Sequence, residues 1–343
     1  MQEDMLSLLR ALAPEQTEEI GRRAQVLTAV ESLQPVGRRA LAAKLNLPER
    51  EVRAAAASLK DQGLLRMDAA GMQLTDKAKD VLPGAQELSR SLFGLTRLEN
   101  ALERLLGIAH VTVVAGDADR DPRVLKDAGR AAAHRLHRLM MNGMTVAVTG
   151  GSTMYSVACG FAGCTPVNVM VVPARGGMGS DADTQANAVA ADFAQRLNGR
   201  YRMIHLPDSL TPDTLEEMRR LPGVEEALEL LGKADLVVHG IGRADTMAGR
   251  RGLPKETVEL LRKKGAVGEA FGDFFNEKGE TVWQTSTVST EIGRTKNTAR
   301  MVAVAAGSAK AEAIIASARH EKHDSLITDQ GAAEKIIALL SEA

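Results

Sequence analysis

Residues 145–157 read TVAVTGGSTMYSV, and this stretch decides the fold of most of the chain. An apolar, β-branched run ends in two glycines and two hydroxyl side chains, and a helical pattern follows. A short apolar run that is bounded by glycine is typical of a strand buried on both faces, as strands of parallel sheets are. The stretch therefore predicts the strand, turn and helix of an α/β domain.

The same alternation of apolar runs and helical stretches extends from residue 110 almost to the end of the chain. The predicted strands lie at 110–116, 145–151, 167–177, 201–207, 234–242, 299–307 and 325–329. Their alternation with helices predicts a doubly wound, Rossmann-like α/β domain with a parallel sheet. A ligand site is expected beyond the carboxyl ends of its strands.

The N-terminal zone has a different pattern, with helical periodicity and many Arg, Leu and Ala residues. Its stretch 38–57, RRALAAKLNLPEREVRAAAA, has the spacing of a helix-turn-helix, with Asn46 in the left-handed conformation at the turn. The stretch LLRMDAAGMQLT that follows predicts a β-hairpin wing. We expect an all-α, winged helix-turn-helix domain that binds DNA; the alternative is a helical module that binds protein.

The second helix of this motif places Arg50 and Arg53 on its outward face, beside alanines that let the face enter a major groove. Residues 17–66 contain nine Lys or Arg and six acids, although the whole chain has a net charge of -1. Pro48 stands where Ser or Thr usually caps a recognition helix, which leaves open the bases that are read. The expected DNA-binding residues are Arg38, Arg39, Arg50, Arg53 and Lys60.

Between these zones, the sequence predicts a linking helix in which Leu88, Leu95 and Leu102 share one heptad position. Glu99 interrupts a second row of leucines. An amphipathic helix lying on its own domain and a short dimerising helix both fit this pattern. The predicted domains are residues 1–82, the linking helix 83–107 and the α/β domain 108–343.

The composition excludes several classes of protein. With 343 residues, of which 44% are hydrophobic and 25% charged, the chain is a soluble globular protein of more than one domain. Aromatic residues are only 3% of the chain, too few for stacking on single-stranded nucleic acid or on sugar rings. No secretion signal or membrane span is visible, so a cytoplasmic location is expected.

The glycine turn after the strand at 145 predicts an anion site. Two glycines allow close approach, and the backbone N–H groups of a helix start favour negative charge. The turn lacks the third glycine of a dinucleotide fingerprint and the Gly-Lys pair of a P-loop, so the phosphate of a small metabolite remains. Further polar groups follow other predicted strands, and two cradles with cations favour a bisphosphate. The expected effector-binding residues are Gly150, Gly151, Ser152, Thr153, Arg175, Gln185, Arg250, Glu269 and Lys310.

An enzyme is the alternative, since a sugar-phosphate isomerase or deaminase with an appended helical domain would need the same phosphate contacts. Its candidate bases are Asp235, His239, Asp245 and Glu269. No histidine follows closely after Asp245, and His, Cys and Asp show no metal-ligand spacing along the sequence. We therefore expect no catalytic residues, no metal and no cofactor, and we expect His134, His137, His320 and His323 to be solvated.

The order of these motifs resembles that of the SorC family of bacterial transcriptional regulators over essentially the full chain. The matching stretches are VTGGSTM, ARGGMG, GIGRAD, GLPKE, VGEAFGDFFNEKG and AAGSAKAEAI, with VGRRALAAKLNLPEREVRAAAASLKDQGLL before them. The resemblance implies a fold shared with glucosamine-6-phosphate and ribose-5-phosphate isomerases, without catalysis.

The resemblance also implies a function and a distribution of the ligand contacts. It implies a homo-oligomeric repressor of a triose-phosphate glycolytic operon that fructose-1,6-bisphosphate releases from double-stranded operator DNA. One phosphate would contact Gly151, Ser152, Thr153 and Lys310. The other would contact Arg175, Gln185 and Arg250, with Glu269 bonded to a sugar hydroxyl.

Overall fold

The computed structural model describes residues 8–9, 11–45, 47–92, 94–177, 182–207, 210–285 and 299–341, without the side chains of residues 212 and 215. The chain divides into two compact units, residues 1–97 and 98–343. The predicted boundaries at 82 and 107 remain predictions, and the predicted turn residue Asn46 lies outside the described residues.

The first unit is built from helices and one hairpin. Its elements are α1 (Pro14–Leu33), α2 (Arg38–Leu45), α3 (Glu49–Asp61), β1 (Leu65–Asp68), β2 (Gly71–Leu74) and α4 (Asp76–Leu92). Strands β1 and β2 pair antiparallel, with Asp68 opposite Gly71, which confirms the predicted wing. Leu41, Val52 and Leu59 are buried in the core that α2 and α3 share with α1, as the helix-turn-helix spacing predicts.

The second unit contains the remaining elements, apart from the start of α5. They are α5 (Leu95–Leu106), β3 (His110–Val114), α6 (Pro122–Leu139), β4 (Thr145–Val148), α7 (Ser152–Gly160), β5 (Met170–Pro173), α8 (Ala186–Leu197), β6 (Arg200–Tyr201), α9 (Pro212–Arg219), α10 (Pro222–Gly232), β7 (Leu236–Gly240), β8 (Gly242–Arg243), α11 (Ala244–Arg250), α12 (Lys255–Lys263), β9 (Ala266–Ala270), β10 (Asp273–Asn276), β11 (Thr281–Gln284), β12 (Arg300–Val304), α13 (Ala311–His320), β13 (Ser325–Asp329) and α14 (Gln330–Ser341).

In the described residues, β3, β13, β12, β7, β4, β5 and β6 form one sheet in that order, and every pairing in it is parallel. From β4 the chain adds strands towards β6, and from β7 it adds strands in the opposite direction. The order therefore reverses between the neighbours β4 and β7. In doubly wound sheets, a ligand crevice lies at this reversal, beyond the carboxyl ends of the strands.

The parallel sheet confirms the predicted fold class, and its strands lie within the predicted runs, except that β6 shares only Tyr201 with the run 201–207. Strand β4 is buried along its whole length, as expected for a strand covered on both faces. Apolar side chains of α6, α7 and α8 pack against strands of this sheet in one core cluster. A second cluster includes Ile204, Leu231 and Phe275, with contributions from α10 and from the turn between β9 and β10.

A small antiparallel sheet, β11-β10-β9-β8, extends from the carboxyl end of β7 and was not predicted. Gly242 of β8 lies opposite Glu269 of β9. The pairing brings β9 to the end of β7, next to the reversal point of the parallel sheet.

Helix α5 covers an edge of the parallel sheet. Its Glu103 and Glu99 accept hydrogen bonds from the N–H groups of Val111 and Val113, at 3.0 and 2.7 Å. Glu99, which interrupts the leucine row in the sequence, is therefore a ligand of edge strand β3. In the described part of the chain, no helix has both the length and the apolar character of a membrane span.

Candidate functional site

The glycine turn after β4 has the geometry of an anion cradle. Gly151 caps α7 with a φ of 105°, a conformation that favours glycine. A Cβ on Gly150 would lie 2.5 Å from the carbonyl oxygen of Thr184, so this position requires glycine as well. Ser152 is exposed and the side chain of Thr153 is buried. The first N–H groups of a helix have no acceptor within the helix and can bind an anion here.

Gln185 and Arg175 lie near this turn. The Gly151 N–H donates to Thr184 O at 2.7 Å, and Gln185 is the next residue and the N-cap of α8. The Oε1 atom of Gln185 lies 3.7 Å from the position that a Cβ on Gly177 would take. Arg175, two residues before Gly177, is buried although it is charged. The structure thus brings together the residues that follow β4, those that follow β5 and those that start α8.

Glu269 forms the centre of a buried cluster of charges. Its Oε1 atom accepts hydrogen bonds from Nη1 of Arg175 at 3.3 Å, from Nη2 of Arg251 and from the Gly272 N–H at 2.7 Å. The side chains of Arg175, Arg251 and Glu269 are each less than 10% exposed. The cluster places two guanidinium groups beside one carboxylate, and guanidinium groups are suited to bind an anionic ligand.

Arg250, the predicted ligand, is exposed at the end of α11, and its neighbour Arg251 is the residue that contacts Glu269. The positive charge of Arg250 acts on Lys310. The structure thus relates Arg250 to Lys310, whereas the resemblance implies a common phosphate for Arg250 and Arg175.

The ammonium group of Lys310 is held in a place that disfavours its charge. Burial lowers its pKa below the ordinary value, and the charge of Arg250 lowers it further, against the opposing effect of Asp119 and Asp329. A bound anion would offset both unfavourable effects, because a nearby negative charge favours the charged form of a lysine.

The backbone at the start of α13 does not form the second cradle that the sequence predicts. The N–H groups of the turn after β12 are bonded to carboxylates of the same domain. Gly307 donates to Asp329 at 2.8 Å, and Ala309 donates to Asp119 at 2.7 Å. Asp117 accepts from both the N–H and the hydroxyl of Ser308. The group that this turn offers to an anion is therefore the Lys310 side chain.

The candidate bases of the enzyme alternative have structural partners. Asp245 is exposed and paired with Arg243. Its partial burial raises its pKa, but hydrogen bonds from Arg243 and Thr246 outweigh this effect, and the pKa lies below its usual value. Asp235 accepts the Thr145 N–H at 2.8 Å. A carboxylate with a lowered pKa is a weak base, so Asp245 is poorly suited to general base catalysis.

Two histidines, His320 and His323, differ from the expectations. His323, expected to be solvated, is only 3% exposed, and His239 of β7 is fully buried. The side chain of His320 is 13% exposed, and its ring stacks on Phe275. The reason is that the turn after α13 folds against β7 and the small sheet.

In the first unit, the side chains expected to contact DNA are on the surface of the helix-turn-helix. Arg50, Arg53 and Lys60 on α3 are exposed, as are Arg38 and Arg39 on α2. The remainder of α3 turns inward, where Val52, Ala55 and Ala56 are buried. Pro48 is the N-cap of α3 and has no side-chain capping bond.

Acidic residues modulate the charge of this surface. Glu49 lies 3.7 Å from Arg39 and 3.6 Å from Arg53, so it partly neutralises two of the expected DNA contacts. On α1, Arg22 pairs with Glu51 of α3 at 3.0 Å. Arg22 therefore joins two helices, and it is no part of the expected DNA surface.

Comparisons with known proteins agree with this division into two modules. Residues 20–88 match the "CggR N-terminal DNA binding domain", and residues 90–338 match the "Putative sugar-binding domain". The chain is 39% identical to the central glycolytic genes regulator of Priestia megaterium, over 97% of this chain and 98% of that protein. It is 35% identical to the regulator of the same name from Bacillus subtilis, again over 97% of this chain and 98% of that protein.

Solved structures show the same relationship. A SorC family transcriptional regulator from Enterococcus faecalis matches with a TM-score of 0.65 and 35% identity, covering 70% of this chain and 99% of that one. The full-length sorbitol operon regulator of Klebsiella pneumoniae matches with a TM-score of 0.66 and 17% identity, covering 89% of this chain and 94% of that one, which shows the fold.

A DNA-binding module followed by a sugar-binding α/β domain defines a class of transcriptional regulators that respond to metabolites. The chain belongs to the SorC family of transcriptional regulators.

Proposed function

We propose that this protein is a cytoplasmic repressor of a glycolytic operon for triose-phosphate enzymes and that fructose-1,6-bisphosphate releases it from its operator. The central support is Lys310, which lies in the turn after β12 and whose pKa burial and the charge of Arg250 hold below the ordinary value, against the opposing effect of Asp119 and Asp329. Two relatives that carry the name of central glycolytic genes regulator support the choice of operon.

The cationic groups fit a ligand with two phosphates. The turn at Gly151 and Ser152 binds one phosphate together with Lys310, and the cluster around Arg175 binds the other. Glu269, held in place by Arg175 and Arg251, accepts a hydrogen bond from a sugar hydroxyl. A monophosphate fills only one of these two positions and binds more weakly.

Release from DNA follows from coupled equilibria. The protein binds its operator as a homo-oligomer, and the bisphosphate prefers an arrangement of the oligomer that binds DNA weakly. The ligand shifts this equilibrium only by its difference in affinity for the two arrangements. By reciprocity, operator binding weakens bisphosphate binding by the same factor.

A mobility-shift titration on the DNA upstream of the operon tests the proposal. Fructose-1,6-bisphosphate, fructose-6-phosphate, glucose-6-phosphate and inorganic phosphate are compared at one ionic strength, because protein–DNA affinity depends steeply on salt. We expect the bisphosphate to dissociate the complex at the lowest concentration. Lys310→Met should keep DNA binding and lose this response, while Lys233→Met, a change of an exposed lysine that precedes β7, should behave as the wild type.

Three results would contradict parts of the proposal. Absence of specific DNA binding would show that the protein is not a repressor. DNA binding that no sugar phosphate affects would contradict only the proposed effector. Equal bisphosphate affinity with and without operator, measured by calorimetry at matched salt, would remove the coupling.

A further inference from the structure

Three side chains from distant parts of the sequence converge inside the second unit. Each of these side chains offers one ligand atom, and the three atoms all lie within 4.8 Å of one another. The residues are His239, Glu321 and His323. The Nε2 atoms of His239 and His323 lie 4.0 and 3.7 Å from the same oxygen of Glu321, Oε1. The three side chains are 0%, 6% and 1% exposed, so the group lies almost entirely out of water.

These distances fit co-ligands of a metal ion better than a hydrogen-bonded pair. Both N···O separations exceed the usual hydrogen-bond length of about 2.7–3.2 Å. Atoms that bind one Zn²⁺ at about 2.0–2.2 Å in a tetrahedral site lie about 3.3–3.6 Å apart. A shorter separation of these atoms, with a tilt of the rings of His239 and His323, which stack with centroids 5.1 Å apart, would reach the geometry of a metal site.

The chemistry of the donors agrees. Nδ1 of His239 lies 3.2 Å from the carbonyl oxygen of Gly240, which can only accept. Nδ1 must then carry the proton, and in the neutral ring the lone pair is on Nε2, the atom that faces Glu321. A metal-binding histidine is usually oriented by a bond of its other nitrogen to a backbone carbonyl. A carboxylate oxygen is also a common ligand of zinc in proteins.

We propose that His239, Glu321 and His323 bind a divalent transition metal ion, with zinc as the best match to two imidazoles and one carboxylate. Glu321 and the exposed Lys322 lie in the turn after α13, so the ion enters from the surface at this turn. A water molecule or the second oxygen of Glu321 completes the coordination.

The bound ion would stabilise the neighbourhood of the sugar-phosphate site. The ring of Phe271 packs on His239 with centroids 4.5 Å apart. Phe271 lies in the turn between β9 and β10, and the next residue, Gly272, donates its N–H to Glu269. An ion that fixes His239 therefore also supports the turn that holds Glu269.

The test uses the full-length protein without a histidine tag, stripped with a chelator and dialysed against Zn²⁺ or Co²⁺. We expect one ion per chain, the visible absorption of tetrahedral Co²⁺ with N and O ligands, and a higher Tm that EDTA reverses. Glu321→Gln and His323→Gln should each lower metal affinity by at least about tenfold. His320→Gln is the matched control, because His320 lies nearby with its Nδ1 2.9 Å from Gly279 O.

A wild-type protein that retains no ion after dialysis would overturn the proposal. Equal metal affinity in the wild type, Glu321→Gln and His323→Gln would do so too. Circular dichroism reports whether each variant folds. If a variant does not fold, zinc-edge X-ray absorption of the wild type replaces it as the test. A spectrum with two imidazole ligands supports the site, and a spectrum without imidazole ligands excludes it.

Discussion

The carbonyl oxygen of Thr184 accepts a hydrogen bond from the Gly151 N–H at 2.7 Å, and this bond fixes the glycine turn against the start of α8. The same carbonyl fills the space beside Gly150, where a Cβ would come within 2.5 Å. The contact between Thr184 and the two glycines therefore fixes the glycine turn next to Gln185. The turn offers N–H groups to an anion, and Gln185 offers its side chain beside them.

Gly150→Ala should therefore separate the two segments. The added methyl group must displace backbone atoms of residues 184–186, and we expect weaker bisphosphate binding together with a loss of about 1–3 kcal/mol in the free energy of unfolding. Calorimetry and urea unfolding measure the two effects. The control is Gly223→Ala, because a Cβ at Gly223 meets no atom within 4 Å. Similar bisphosphate affinity and similar stability of both variants would contradict the role of the close contact between Gly150 and Thr184.

Lys310→Met should have opposite effects on stability and on binding. Because the folded-state pKa of Lys310 is lowered, the charged form disfavours the fold, and the stability that neutral Lys310 provides is lost as pH falls through the lowered pKa. At neutral pH the variant should therefore unfold at a higher urea concentration than the wild type. It should nevertheless bind bisphosphate more weakly.

The same shift predicts the pH dependence of ligand binding. As pH rises through the lowered pKa, below the ordinary lysine value of about 10.4, Lys310 loses its charge and bisphosphate affinity should fall. Calorimetry in buffers of different ionisation enthalpy detects the accompanying proton uptake. If Lys310→Met kept this pH dependence, the titration of another group would be its cause.

Glu269→Gln should strongly destabilise the second unit. The change removes a countercharge that the buried Arg175 and Arg251 share, for which we expect a loss of about 3–5 kcal/mol. Glu226→Gln is the comparison, because its pair with Arg202 is exposed and should be worth at most about 1 kcal/mol. Urea unfolding at pH 7 distinguishes them, and equal losses would mean that burial does not set the strength of the Glu269 cluster.

Glu49→Gln should increase operator affinity, because Arg39 and Arg53 would lose a competing carboxylate. The gain should be up to about 1 kcal/mol, with a steeper dependence on salt. Arg53→Ala should act in the opposite direction by about 1–3 kcal/mol if it contacts a base edge. Fluorescence anisotropy across a salt series measures both, and unchanged affinity in both variants would place the DNA contact elsewhere.

The strands of the parallel sheet could be predicted because short runs rich in apolar and β-branched residues mark them, as in β4 and β7. The small antiparallel sheet could not, since β8 has two residues and β11 is only partly buried. Strand β6 is shorter than the predicted run, because the backbone after Tyr201 leaves the sheet.

For the sites, spacing along the chain identifies residues that directly follow strands, such as Gly150 and Arg175. Spacing along the chain does not distinguish Arg250 from Arg251. Which of the two side chains points inward depends on where α11 ends. Spacing also does not relate His239 to Glu321 and His323, which meet only because β7 and the turn after α13 lie side by side. Only the three-dimensional structure shows that these residues lie close together.

The two carboxylates that α5 places on β3 have a consequence for self-association. An uncovered edge strand offers its N–H groups to the strand of another molecule, a common route to aggregation. Glu99 and Glu103 take up the N–H groups of Val113 and Val111, so this edge is closed to sheet extension. Assembly of the protein must then use other surfaces, and a chain that lost both glutamates would be expected to form fibrous or insoluble aggregates through β3.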